Sequence, residues 1–253
     1  MNQSASPTLS DRSRLVRLLT GMSDSKFSDG DYNLAEQLGR IISLSDSISL
    51  SRSLGQLSRK VAENPSSEAP AHVNAVQQHV LESREKMMRT IINSFADQTG
   101  SSGIQLPSVS TGTKAEALKT YEPYQRFYSM HQAEMAGSIQ ALRLGVRASI
   151  SGVSSDLRQL AELDQIINDS IAAHNGKLFN VTPKLLQQRF KELLSAHQQS
   201  QGSQDTTEPL DWLKPGAWLT VFYKELQELL LAELDVRLQP VLGLLEALND
   251  ASS

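Results

Sequence analysis

The stretch Pro215–Asn249, PGAWLTVFYKELQELLLAELDVRLQPVLGLLEALN, constrains this chain more than any other. Leu219, Phe222, Leu226, Leu230, Leu234, Leu238, Val241, Leu245 and Leu248 recur every three or four residues, which places them on one stripe of a helix. Leu229, Leu231, Leu242 and Leu244 widen the stripe beyond what a surface helix needs. A helix apolar around most of its girth has to be covered from several sides, so the rest of the chain is expected to wrap it. The reading is all-α: about seven helices, arranged as helical hairpins around a long C-terminal helix kinked at Gln239-Pro240, where proline removes a backbone hydrogen bond.

The other elements follow from the same spacing. Residues 1–9 read as a disordered tail and 10–62 as an N-terminal helical segment; 71–253 form the main bundle, with mobile loops at 99–113 and 197–211. Ser10 caps a first helix with Leu15, Val16, Leu18 and Leu19 on its apolar face, and Gly21 ends it. Between 31 and 60, alternating serines conflict with a helical period carried by Leu34, Leu38, Ile41, Leu44 and Ile48. Serine is a poor strand former, which favours helix. Pro65 and Pro70 bracket a linker. A helix over 71–98 carries Val73, Val76, Val80, Met87, Met88, Ile91, Ile92 and Phe95. One over 121–150 has Pro123 in its first turn and Tyr124, Phe127, Tyr128, His131, Met135, Ile139, Leu142, Val146 and Ile150 on one face. The next is capped by Ser154 or Ser155, carries Leu157, Leu160, Leu163, Ile166, Ile167 and Ile171, and stops at Asn175-Gly176. Pro183 opens a helix carrying Leu185, Leu186, Phe190, Leu193 and Leu194.

Charge and composition limit the function classes. The net charge of −4 lacks the basic excess that phosphate binding needs, which argues against a nucleic-acid partner. The 253 residues contain no cysteine, which removes disulfides and thiolate chemistry and suits a reducing cytoplasm. No signal-peptide core and no run of about 20 apolar residues is present, so neither export nor direct membrane insertion is expected.

Candidate chemistry is sparse. His72 and His79 share a helix face but lack the convergent ligands of a metal site. Tyr121, Tyr124, Phe127 and Tyr128 read as core with hydroxyls reaching the surface. Arg12, Arg14 and Arg17, like the pair Arg143 and Arg147, read as solvated faces. The acidic pairs Glu162/Asp164 and Glu233/Asp235 point apart at i,i+2, and Glu233–Arg237 reads as a surface ion pair at i,i+4. No phosphate-cradling glycine loop, serine elbow or zinc signature is present, so neither catalysis nor a cofactor is expected.

The segment Leu230–Leu248, LLAELDVRLQPVLGLLEAL, resembles the closing signature of a proteobacterial family of unknown function. Tyr128, Gln132 and Met135 are similar to that family's Tyr-x-x-x-Gln-x-x-Met run. AELDQI at 161–166 and PKLLQQRF at 183–190 continue in the same order, and LAEQLGRIISLSDSISLSRSL matches in outline, with Ile and Ser where members tend to carry tryptophan. The resemblance covers most of the chain. It implies genes beside ion-driven motors of the MotA/TolQ/ExbB class and OmpA-like peptidoglycan binders, hence a cytoplasmic accessory of an inner-membrane assembly, with no catalytic residues to carry over. The leading expectation is a non-enzymatic interaction or scaffold protein with a protein partner, docking through Leu229, Leu231, Glu233, Arg237, Leu242 and Leu244. Self-assembly through Leu229, Leu231, Leu242 and Leu244 is the alternative, and an enzyme or metal-dependent bundle the third.

Overall fold

The computed structural model describes residues 14–23, 69–96, 103–107, 109, 113–179, 182–201 and 208–251. The expected tail at 1–9, the helices between 31 and 60 and most of the linker before residue 69 lie outside the described residues, as do 99–102, 108, 110–112 and 202–207. Seven α-helices are described: α1 Arg14–Ser23, α2 Ala69–Phe95, α3 Ala115–Leu118, α4 Glu122–Ile150, α5 Ser155–Phe179, α6 Thr182–Gln201 and α7 Trp218–Asp250. A 3₁₀ turn at Pro209–Leu213 precedes α7. No strand occurs among the described residues, so the all-α reading holds.

Helix α7 is the axis of the molecule. It packs against α1, α2, α4, α5, α6 and the 3₁₀ turn. Leu219, Phe222, Leu226, Leu230, Leu234, Leu238, Val241 and Leu248 are all buried, as their spacing requires. Leu229, Ala232 and Glu233 are buried beside them, so the middle of the helix is enclosed on several sides. Burying each leucine contributes about 1.5–3 kcal/mol. Beyond Pro240 the register shifts by one residue: Leu244 is buried and Leu245 is only partly covered. The helix runs through Pro240, which sits on the exposed side. Gly216 precedes the helix with φ at 81°, a left-handed conformation that a side chain would strain, and this turns the chain from Pro215 into Trp218.

Helices α2 and α4 lie antiparallel, as the contacts His72–Ser149 and Phe95–Phe127 show at the two ends. Tyr124, Phe127, Tyr128, Met135, Ile139, Leu142, Val146 and Ile150 form the buried face of α4. The Ser154 hydroxyl accepts the Leu157 amide at 3.2 Å, capping α5. Leu15, Leu19 and Met22 of α1 join the same core.

Three helices overrun the ends read from the sequence. Helix α1 passes through Gly21 to Ser23. Helix α5 passes through Asn175-Gly176 to Phe179. Helix α6 continues to Gln201, so residues 197–201 are helical instead of loop. Local stop signals cost at most about 1 kcal/mol each, which neighbouring helical turns override. Within the expected loop at 99–113, Ile104 is buried and Leu106 and Val109 pack on the core. This part is a strap whose apolar side chains hold it down. Ile92 is exposed instead of buried.

Candidate functional site

Three charged interhelical junctions stand out among the described residues. The first centres on Glu233 of α7, whose exposure is 0%. Tyr128 Oη–H donates to Oε2 at 2.6 Å, and Gln132 Nε2 donates to both carboxylate oxygens at 3.0 and 3.1 Å. Arg237 donates to Oε1 through Nε at 2.8 Å and Nη2 at 2.6 Å. Gln132 Nε2 also reaches the Phe179 carbonyl at 3.1 Å, and the Arg237 guanidinium lies 3.7 Å from the Phe179 ring centroid. Burial first, and then the neighbouring carboxylate, raise the Tyr128 hydroxyl well above its ordinary pKa, so it stays a proton donor. A buried carboxylate without partners would cost several kcal/mol, and this one is neutralised by Arg237 and hydrogen-bonded by two further side chains. Glu233 and Arg237 are therefore an internal ion pair and not the expected surface one: the i,i+4 spacing was sound, but the pair faces α4 and α5.

The second junction joins α4 to α5. Arg143 Nε donates to Asp164 Oδ2 at 2.8 Å, Nη2 to Asp164 Oδ1, and Nη1 to Asn168 Oδ1 at 2.6 Å. Arg147 donates to Gln165 Oε1 and lies 3.6 Å from Asp164 Oδ2. Both arginines are buried. They are structural residues and not the solvated face expected. One carboxylate faces two guanidiniums, and Arg147 Nη2 has no hydrogen-bond partner among the described residues. The third junction is the bidentate pair of Arg189 on α6 with Glu225 on α7, at 2.9 and 2.8 Å. Hydrogen bonding to Glu225 is the main cause that raises the Arg189 pKa.

The aromatic cluster is core, as expected, but its hydroxyls turn inward. Tyr121 Oη–H donates to the Pro183 carbonyl at 2.7 Å, and Tyr124 Oη–H to that of Leu118 at 3.4 Å. His131 is buried with Nε2 2.8 Å from Ser94 Oγ, and burial lowers its pKa to about 4, so its ring is neutral. His72 and His79 are exposed on α2. Among the described residues no group of three or more His, Asp or Glu is placed to hold a metal ion.

The residues expected to dock a partner divide. Leu229 and Leu244 are buried within the single chain, and Glu233 is saturated by its own neighbours. Leu231, Arg237 and Leu242 are partly covered. A face that is already enclosed cannot enclose something else, so these leucines do not form one open patch.

A different face is open among the described residues. On α4 the exposed positions after Met135 include Gly137, Gln140, Ala141, Leu144, Gly145 and Ala148, and none of the exposed positions from 136 to 150 is charged. Leu144 is 50% exposed. Gly137, Ala141, Leu144 and Ala148 step by four, three and four residues along one stripe. No described atom lies within 4 Å of where a Cβ would stand on Gly137 or Gly145. Each glycine in a helix interior costs about 0.5–1 kcal/mol relative to alanine, and no contact within the described chain requires it.

An all-helical bundle whose buried charges each tie one helix to another is the class these observations define. The model of the family described as "Protein of unknown function (DUF3348)" matches residues 1–250, and the chain belongs to that family. No curated protein and no solved structure matches it. No described helix is long and apolar enough to cross a membrane.

Proposed function

We propose that this protein is a non-enzymatic interaction module: a rigid helical frame that presents the uncharged face of α4 to a protein partner. The observation that carries the reading is that face. A solvated helix surface is ordinarily charged, and this one exposes Leu144 among glycine, alanine, serine and glutamine over about three turns. The ionised groups of the interior support the same reading. The Glu233 carboxylate has each of its oxygens engaged by at least two donors, which leaves no open lone pair to act as a base on a substrate. The resemblance to a family encoded beside MotA/TolQ/ExbB-type motors makes an inner-membrane motor component the partner to test first, with the chain as its cytoplasmic accessory.

Affinity purification of the tagged full chain from detergent-treated cells of its host tests this. Stoichiometric recovery of a motor component is the expected result. Recovery of the chain alone, under conditions where the motor itself stays intact, would refute the motor assignment.

Self-assembly has less support than the sequence reading gave it, because two of its four leucines, Leu229 and Leu244, are occupied within the chain. Light scattering over a dilution series decides it.

A further inference from the structure

Among the described residues, large apolar side chains are also exposed where α2 runs beside α7. Leu81 is 57% exposed and Ile92 45%, and with half-buried Met88 they step by seven and four residues along one side of α2. The two helices are antiparallel, since Gln77 donates to Asn249 and Arg84 to Asp235. That register sets Leu81 near the level of Leu242, and Met88 and Ile92 near the level of Leu231. Leu231 and Leu242 are the two expected docking leucines that the chain leaves partly open. The half-exposed pair Arg84–Asp235 crosses between the two apolar patches. The result is a shallow apolar groove, and its α7 edge is acidic. Glu228, Asp235 and Glu246 are seven and eleven residues apart, which returns them to nearly the same side of the helix.

We propose that residues 34–61 of the chain itself fill this groove, with their apolar side on Leu81, Ile92 and Leu231 and their basic residues along the acidic edge. Three observations name this occupant. The first is where the chain outside the described residues begins and ends. Helix α1 ends at Ser23 and packs on α7 and α6, while α2 begins at Ala69 and packs on α7 and α4. Residues 24–68 therefore pass from the α6 side of α7 to its α2 side, where the groove lies. The second is the apolar pattern. Leu34, Leu38, Ile41 and Ile48 share one side at helical spacing. As a helix they span about 21 Å, against about 17 Å from Leu81 to Ile92. The third is charge. Between 34 and 61 stand Arg40, Arg52, Arg59 and Lys60 against Glu36 and Asp46, a basic excess that complements the α7 edge. A separate chain competes poorly, because a segment tethered at both ends meets the groove at an effective concentration on the order of millimolar. The inference concerns a different face from α4 and stands independently of the partner proposed there.

The chain has no cysteine, so a single introduced thiol reports on its own position. Leu81→Cys and Ile92→Cys in the groove, and Leu144→Cys on α4, are each made in the purified full chain and reacted with a maleimide. Leu144 is 50% exposed, so an empty groove would give similar rates at all three. The expected result is that the thiols at 81 and 92 react at least tenfold more slowly than the one at 144. Leu38→Asp/Ile41→Asp should bring them to within twofold of it. Val80→Cys, on the buried side of α2, should stay unreactive in that background, which shows that the bundle is intact. The photo-crosslinking residue p-benzoylphenylalanine at position 81 identifies the occupant in a mixture of light and heavy isotope-labelled chains. Its adduct should lie within residues 34–61 of the same chain, and this readout decides alone if the thiol at 80 becomes reactive. Similar rates at 81, 92 and 144 overturn the proposal, as does protection indifferent to Leu38→Asp/Ile41→Asp. So does an adduct that joins two chains, one that falls outside 34–61, or none at all.

Discussion

Replacing Glu233 and Arg237 singly and together measures what the α7 junction contributes. In Glu233→Leu, the Arg237 guanidinium, the Tyr128 hydroxyl and the Gln132 amide lose their acceptor at once. Breaking a buried ion pair by removing one partner costs about 3–5 kcal/mol. The Arg237 side chain is 15% exposed and can relax partly toward water, which puts the expected cost near the lower end, about 3 kcal/mol. Arg237→Met should cost a similar amount, because Glu233 has no exposure to relax into. The double variant Glu233→Leu/Arg237→Met removes both charges, and its methionine can keep contact with the Phe179 ring. What remains is the orphaned Tyr128 hydroxyl and the weakened Gln132 contact, about 1–2 kcal/mol. The double variant should therefore be more stable than either single one, with a coupling of at least about 2 kcal/mol. Urea denaturation at fixed pH reads these differences, and each kcal/mol corresponds to about 2–4 °C in Tm for a chain of this size. If the single variants lie within about 0.5 kcal/mol of the parent, the value of a solvated surface pair, the burial argument is wrong. A double variant equal to the sum of the singles would show that the two groups do not share a junction.

Three further outcomes follow from the same geometry. Gly137→Ala and Gly145→Ala should each stabilise the isolated chain by about 0.5–1 kcal/mol, because a Cβ meets open space; destabilisation in a thermal melt would mean that the face is filled within the chain. His131 ionises in the folded state only near pH 4, against 6.5 for an ordinary histidine, so the unfolded chain takes up the proton first as the pH falls. Stability should decline between pH 6.5 and 4 by up to about 3 kcal/mol, and His131→Gln should flatten that part of the Tm profile; an unchanged profile would place the ring in contact with water. Leu234→Asp sets an unpaired carboxylate in the centre of α7 at a cost of several kcal/mol and should abolish the cooperative melt, whereas a Tm within a degree or two of the parent would show that this face is not enclosed.

The apolar half of the fold was legible because burial leaves a period. The stripe from Leu219 to Leu248 announced both a helix and its enclosure, and the faces of α4 and α6 were readable in the same way. The errors at Gly21 and Asn175-Gly176 arise from reading a local preference of about 1 kcal/mol as decisive, where packing along the helix outweighs it. The strap around Ile104 was read as loose because glycine and serine dominate its composition, although three apolar side chains suffice to pin it.

The polar half was misread for a different reason. Glu233, Arg143 and Arg147 were each assigned to the surface by residue type, since a charge is rarely buried without a partner. Their partners are remote in sequence: Tyr128 lies 105 residues from Glu233, and Asp164 lies 21 from Arg143. A one-dimensional reading sees a charge alone, as with Arg143 and Arg147, or only its i,i+4 neighbour, as with Glu233 and Arg237, and without the remote partners the exposed assignment is the cheaper one. A signal was nevertheless present. Glu233 and Arg237 fall on the apolar stripe defined by Leu226, Leu230 and Val241, and Arg143 and Arg147 directly follow Leu142 and Val146 on the buried side of α4. A charge at an apolar register position is either an error of phase or half of a buried pair. The segments singled out by resemblance supply the other halves: Tyr128 and Gln132 meet Glu233, Asp164 and Gln165 meet Arg143 and Arg147, and Arg189 meets Glu225. Hydrophobic contact alone would let these helices slide past one another at small cost. Hydrogen-bonded charges of fixed geometry do not, which gives each pair of helices one register and the exposed face of α4 one fixed shape.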